Sequence, residues 1–333
     1  MLALPDSWPE FRAPRLLRNR HVQTVLSAWL PAGRHALPTT QHEVQLADGD
    51  QLVLHDDCPP GWKQGDPAAL LIHGLAGYHG SPYMVRLARK LTRQGVRSLR
   101  LDLRGAGAGA LLAARSYHCG CSEDVAASLK LVRKLISDSP LLAAGFSLGG
   151  NALLKLLGEM GADDVPRPDS ALAVCPPLDM LRSSDLLRRG FNRFYDRYFT
   201  GILYKRLIHR AQHRDDVTLA ELKRRPRTLR ELDDVYTAPT WGFASVEDYY
   251  VRAAARHVVS QTAVPTLILT AADDPMIPVD TFHELPRTDH LRVSIVPAGG
   301  HTGFVSHRKQ DADRHWLEWR IVELACGLRD RQS

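Results

Sequence analysis

The sequence predicts an α/β protein with a mostly parallel central sheet and helices on both faces. Three observations lead there. Short apolar runs recur at 68–72, 96–101, 141–144, 171–175, 265–270 and 291–296, as buried strands do. Stretches of helical periodicity separate several of them, and strands alternating with helices pair in parallel. The 333 residues are 44% hydrophobic and 24% charged, an ordinary globular balance with ample material for a core.

The elements follow in order. Ala68–Ile72 runs into the loop His73-Gly74-Leu75-Ala76-Gly77. Ser81-Pro82 reads as an N-cap with proline at the first helical position. Met84, Leu87, Ala88 and Leu91 then share one face, and Gly95 closes the helix. Val96–Leu101 ends in the glycine-rich stretch Asp102–Gly107, which lacks the G-x-G-x-x-G spacing of a dinucleotide site. Ser122-Glu123-Asp124 opens a helix with acids where the dipole favours them, and Val125, Leu129, Val132 and Ile136 form its buried stripe. Leu141–Ala144 is a strand, Asn151–Leu157 a helix, and Ala171–Cys175 the next strand. The rhythm then breaks. The segment 176–263 is too long for a plain crossover and is expected to be a helical cap inserted into a single domain, 1–333. Between Arg182 and Arg230 it carries fourteen Lys/Arg against five Asp/Glu, expected as a solvated basic face, with a dedicated anionic-substrate or membrane patch as the alternative. Phe191, Phe194, Tyr195, Tyr198 and Phe199 stand at helical spacing, so one apolar face is expected, packing the cap or lining an acyl pocket. The strands Pro265–Thr270 and Leu291–Val296 complete the sheet.

The chemistry sits in three turns. Gly145-Phe146-Ser147-Leu148-Gly149-Gly150 reads G-x-S-x-G-G between a strand and a helix, the context of a nucleophile elbow. A serine hydroxyl needs a base, and the base an orienting acid. Ala271-Ala272-Asp273-Asp274-Pro275 follows one strand and offers the acid. Asp274 is favoured, with Asp273 as the alternative that caps the turn or bonds backbone amides. Pro297-Ala298-Gly299-Gly300-His301 follows the next strand, and His301 is the expected base. The oxyanion donors are expected to be the N–H groups of Leu148 and Leu75. His73 is expected to brace its turn.

Further motifs carry a resemblance. Asn19-Arg20-His21-Val22-Gln23-Thr24 matches an N-x-H-x-Q-T signature, and Tyr117-His118, Gly149-Gly150-Asn151, Cys175-Pro176-Pro177-Leu178-Asp179, Arg227–Asp233 and Asp248-Tyr249-Tyr250 follow. In these the chain resembles the YheT-like branch of the α/β-hydrolases, related to the eukaryotic ABHD-type esterases and lipases. The resemblance implies an α/β-hydrolase fold, a triad of Ser147, Asp274 and His301, and hydrolysis of carboxylic esters through an acyl-enzyme. Ala106-Gly107-Ala108-Gly109 departs from the pattern with smaller residues and is expected to loosen that loop.

The same reading sets the partners. A small-molecule ester is expected as substrate, with no metal, no organic cofactor and no nucleic acid; the net charge of +6 suggests mild attraction to anionic surfaces. No apolar run reaches eighteen residues, so no integral membrane segment is expected, and peripheral lipid contact stays open. Met1–Asp6 lacks the features of a secretory leader. Cys119-Gly120-Cys121 is too tight for a zinc pair, and reduced thiols in a cytoplasm fit the five cysteines. An acyltransferase or thioesterase would use the same triad. A binding protein on this scaffold would need a broken one.

Overall fold

A computed structural model describes residues 8–33, 38–160, 165–217, 219, 225–307 and 310–329. Met1–Asp6, on which the expectation about a leader rests, lies outside the described residues, as do Lys223 and Arg224 of the basic segment. Eight strands form one sheet: β1 (Thr40–Gln45), β2 (Gln51–Asp57), β3 (Ala68–Ile72), β4 (Arg97–Asp102), β5 (Leu141–Phe146), β6 (Ser170–Val174), β7 (Thr266–Ala271) and β8 (Leu291–Val296). Their order is β1-β2-β4-β3-β5-β6-β7-β8. β2 is antiparallel to both neighbours, and every pairing from β4 to β8 is parallel. The six apolar runs all become strands. The β1–β2 hairpin was not expected, because β2 is buried yet polar. Asp56 takes the Arg97 guanidinium at 2.9 Å and Asp57 that of Arg100 at 2.8 Å, both from β4.

The main helices are α1 (Arg20–Trp29), α2 (Pro82–Arg93), α3 (Ser122–Ile136), α4 (Leu148–Glu159), α5 (Met180–Leu187), α6 (Arg193–His213), α7 (Val246–Ala253) and α8 (Trp316–Cys326). Alternation along the strands feeds two cores. Leu70 and Ile72 of β3 pack with Val125, Leu129 and Leu153 of α3 and α4. Ala69 and Leu71 face the other way, onto Met84, Leu87 and Leu91 of α2 and Ile321 of α8. Arg86 of α2 and Glu318 of α8 tie that second layer by a buried bond of 2.8 Å. Ser81 stands at the N-cap position of α2, but its hydroxyl accepts the Tyr78 N–H of the preceding loop. Among the described residues no helix is long and apolar enough to cross a membrane.

Two expectations need correction. The small-residue loop after β4 is not loosened. Asp102 accepts the N–H groups of Ala108 and His79 at 2.9 and 2.6 Å, and Gly107 at φ +52° lies so close to that carboxylate that a Cβ would overlap it. The aromatic run Phe191–Phe199 does not form one buried face. Tyr195 is buried and Phe199 half-buried, whereas Phe191, Phe194 and Tyr198 are exposed. The buried residues of α6, Tyr195, Asp196, Thr200, Leu207 and Arg210, define an inward arc centred near Leu203 at roughly 100° per residue. That arc catches only the edge of the aromatic stripe formed by Tyr195 and Phe199.

The order of the sheet positions the site. The chain leaves β3 to one side for β4 and returns on the other for β5, a switch point where open α/β sheets bind ligands at the strand C-termini. The loops after β3, β5, β7 and β8 meet there and share a cavity with α1, α5 and α6.

Candidate active site

Ser147 follows β5 in a turn few other residues could make. Its φ is +50°, a strained value for a residue with a Cβ. Gly145 and Gly149 let strand and helix cross: a Cβ on Gly145 would sit 2.6 Å from the Gly149 carbonyl, and one on Gly149 2.8 Å from that of Ile72. The Ser147 N–H is held by the Val174 carbonyl of β6 at 2.8 Å.

Asp274 follows β7. Its Oδ1 accepts the N–H groups of Met276 and Ile277 at 2.8 and 3.0 Å, and its Oδ2 lies 2.8 Å from His301 Nδ1. His301 Nε2 is 2.9 Å from Ser147 Oγ. An ionised carboxylate only accepts, so Nδ1 carries the proton and Nε2 is left to accept from the hydroxyl. An imidazole so placed can take a serine proton and return it to a leaving group. Asp273 points elsewhere: its Oδ1 accepts the Gly300 N–H at 2.9 Å, and burial raises its carboxyl above the usual range.

The loop carrying His301 is clamped by Gln23 and Thr24, read in sequence only as part of a signature, and by Ser27, which the sequence reading did not single out. Thr24 Oγ1 accepts the His301 N–H at 2.9 Å, Gln23 Oε1 accepts that of Val305 at 2.7 Å, and the Ser27 hydroxyl donates to the Thr302 carbonyl at 3.1 Å. Asn19 caps α1 by accepting the His21 N–H at 2.9 Å, which orients the face bearing them. The polar spacing Gln23, Thr24, Ser27 on a capped helix was the available signal.

Leu75 and Leu148 line the cavity together with the serine, and neither N–H donates to another protein group among the described residues. The Leu75 loop is held from three directions. Tyr83 accepts the Gly74 N–H at 3.1 Å, Tyr117 accepts that of Ala76 at 2.7 Å, and Arg206 of α6 donates to the Ala76 carbonyl at 2.7 Å. Ala76 is itself held at φ +60°. His73 accepts the Leu103 N–H at Nε2, 3.2 Å away, while Nδ1 faces the Gly74 carbonyl at 2.8 Å.

A cavity of about 250 Å³ opens on Ser147 and His301. Leu148, Phe199, Leu203, Met276 and Ile277 give it an apolar wall. Asp233, in a one-turn π-helix, adds a polar point. It accepts from Tyr250 and Thr237, each at 2.8 Å, and burial raises its carboxyl to about 6. Two side-chain groups among the described residues could be considered for a cation. The first is His55, His79 and Asp102, where His55 Nε2 and His79 Nδ1 both meet Asp102 Oδ2, at 3.0 and 2.7 Å, so each ring nitrogen already has a protein partner. Cys175 joins Asp274 and His301, but burial pushes its thiol well up, away from the thiolate a metal needs.

Two histidines near the site carry a pH signature. Burial lowers His73 to about 4 and His118 to about 3, and each accepts a backbone N–H, the latter that of Gly120 at 3.0 Å. The unfolded imidazole ionises near 6.5, so below that pH the unfolded chain takes protons that the fold refuses. Each ring then removes up to about 1.4 kcal/mol of stability per pH unit. Asp233 opposes them below about 6, where its raised carboxyl protonates first in the folded chain. The melting temperature is expected to fall from pH 6.5 to 4, and to fall less in His118→Asn, whose amide oxygen keeps the Gly120 bond. A flat melting profile over that range contradicts neutral burial of both rings.

The family described as alpha/beta hydrolase fold matches residues 67–308. YheT of Escherichia coli (strain K12), provisionally named an esterase, is 31% identical over 98% of this chain and 96% of its own. The mouse phospholipase ABHD3 is 27% identical over 79% of this chain and 65% of its own. Among solved structures, a 2,6-dihydroxy-pseudo-oxynicotine hydrolase superposes with a TM-score of 0.57 at 18% identity, over 92% of this chain and 72% of that one. Est1E from Butyrivibrio proteoclasticus does so with 0.52 at 17%, over 88% and 98%. These two share the fold. The chain belongs to the α/β-hydrolase fold family, in its YheT-like, ABHD-related branch, and is a hydrolase.

Proposed function

We propose that the protein hydrolyses carboxylic esters of small or lipid-like molecules by a Ser147–His301–Asp274 triad. The observation that carries the reading is the unbroken line Oγ–Nε2, Nδ1–Oδ2, at 2.9 and 2.8 Å, on a strained serine turn. His301 takes the Ser147 proton as Oγ attacks the ester carbonyl. The Leu75 and Leu148 N–H groups receive the oxyanion. His301 then protonates the leaving alcohol, and water repeats the sequence on the acyl-enzyme, which releases the acid and frees Oγ. Asp274 holds the imidazole tautomer. Within this reading the segment 176–263 is a cap on a single domain: α5 and α6 roof the cavity, and Arg206 links the roof to the oxyanion loop. The names of the relatives, an esterase and a phospholipase, point the same way.

Turnover of p-nitrophenyl esters of increasing chain length tests the reading, and no turnover at any length contradicts it. The apolar wall predicts a medium-chain optimum. Phe199→Ala, which removes a half-buried ring from that wall, is expected to move the optimum to longer chains with little loss of melting temperature. Phe194→Ala and Tyr198→Ala, on the outer face, are expected to leave the profile unchanged. An unmoved optimum in Phe199→Ala contradicts the assignment of this cavity to the acyl chain.

A further inference from the structure

The cap's basic face and its exposed aromatics do more than fold the protein. Of the residues lining the cavity, only Ala28 and Arg188 are exposed, so its mouth lies between α1 and the end of α5. Beside that mouth Phe191, Phe194 and Tyr198 are 62%, 56% and 48% exposed. They run together: Phe191 packs on His21 at 4.5 Å, and the Phe194 and Tyr198 rings stack at 6.4 Å. Val22 and Trp29 of α1, 40% and 74% exposed, extend the rim. A contiguous apolar edge of this kind marks a surface that something covers.

A second observation says what covers it. The same part of α6 borders a polar groove of about 1070 Å³ lined by Arg188, Arg189, Arg193, Arg197, Arg225 and Arg227. The acids in that groove do not answer this charge. Asp185 lies 3.9 Å from Arg188, Asp196 accepts the Leu229 N–H and Glu231 accepts the Arg227 N–H. Among the described residues the other five guanidinium groups have no carboxylate within ion-pair distance. Guanidinium forks suit phosphate oxygens, and aromatic rings suit the boundary between headgroups and acyl chains. A free anion would use the groove without the rings. A second copy across a two-fold axis would bring the same arginines together, like charge against like.

We propose that this face of the cap, the arginine groove with its aromatic rim, docks the protein on an anionic lipid surface. Docking there puts the cavity mouth against the bilayer, so an ester can enter from the membrane. Delivery of substrate rests on the ester-hydrolase reading, whereas the docking does not.

The Ser147→Ala chain, which cannot turn over lipid, is sedimented with vesicles of phosphatidylcholine alone and of phosphatidylcholine mixed with phosphatidylglycerol. Binding is expected to the mixed vesicles, weakly to the neutral ones, and to fall with salt. Removing charge with Arg189→Gln, Arg193→Gln and Arg197→Gln together is expected to weaken binding about 100-fold, about fivefold per arginine. Replacing the rim with Phe191→Ser, Phe194→Ser and Tyr198→Ser is expected to weaken it about tenfold or more. Both sets in the Ser147 background should keep the parent's hydrolysis of a soluble short-chain ester and its melting temperature. No binding to anionic vesicles at low salt, or equal binding by the variants, overturns the proposal. So does a dimer in solution that the rim variant dissociates, which would assign the face to self-association. Failure of the parent to hydrolyse any ester would sink the ester reading and leave the vesicle result standing.

Discussion

Ser147→Ala is expected to fold like the parent and to lose about 10⁴–10⁶ of its ester turnover. The substitution keeps the Cβ, so the backbone strain at φ +50° and the fit between Gly145 and Gly149 are unchanged. What disappears is Oγ, the atom 2.9 Å from His301 Nε2. Without it the oxyanion donors and the cavity still hold an ester, which leaves only the residual catalysis of binding and orientation. Melting temperature and kcat on one short-chain ester check both halves. A variant that keeps more than a few per cent of the parent rate contradicts the role given to this serine.

Asp274→Asn is expected to cost about 10⁴ in kcat, and Asp273→Asn far less. The amide at 274 can still accept the Met276 and Ile277 N–H groups through its oxygen, so the loop persists. Its NH₂ then faces His301 Nδ1, drives that nitrogen to accept, and puts the ring proton on Nε2, where it opposes the serine. Asparagine at 273 can keep the Gly300 bond and touches neither ring nitrogen. Equal losses, or the reverse order, would move the acid role to Asp273.

What the sequence disclosed and what it hid follow from the range of the interactions involved. The turns that bring Ser147, Asp274 and His301 together were legible because each is local. An apolar run ends, glycines or prolines shape a short loop, and a polar residue stands at a set offset. The choice between Asp273 and Asp274 needed geometry, because both sit in the same turn and differ only in which way they point. β2 was hidden because its buried polar residues are paired with Arg97 and Arg100, some forty positions away, and periodicity counts such residues as surface. Thr24 was visible only as part of a signature, since its hydroxyl meets the His301 N–H across 277 positions. The aromatic run 191–199 showed that a stripe exists. Which edge turns inward depends on how α6 lies over the Leu75 loop, where Arg206, further along the helix, holds the Ala76 carbonyl.

One nucleophile activated by one base carries the proposed chemistry. Mass analysis after treatment with a fluorophosphonate tests that most directly. The prediction is a single adduct on Ser147, absent in Ser147→Ala and formed far more slowly in His301→Ala. An adduct on another residue, or ester hydrolysis that persists after full labelling, would contradict it.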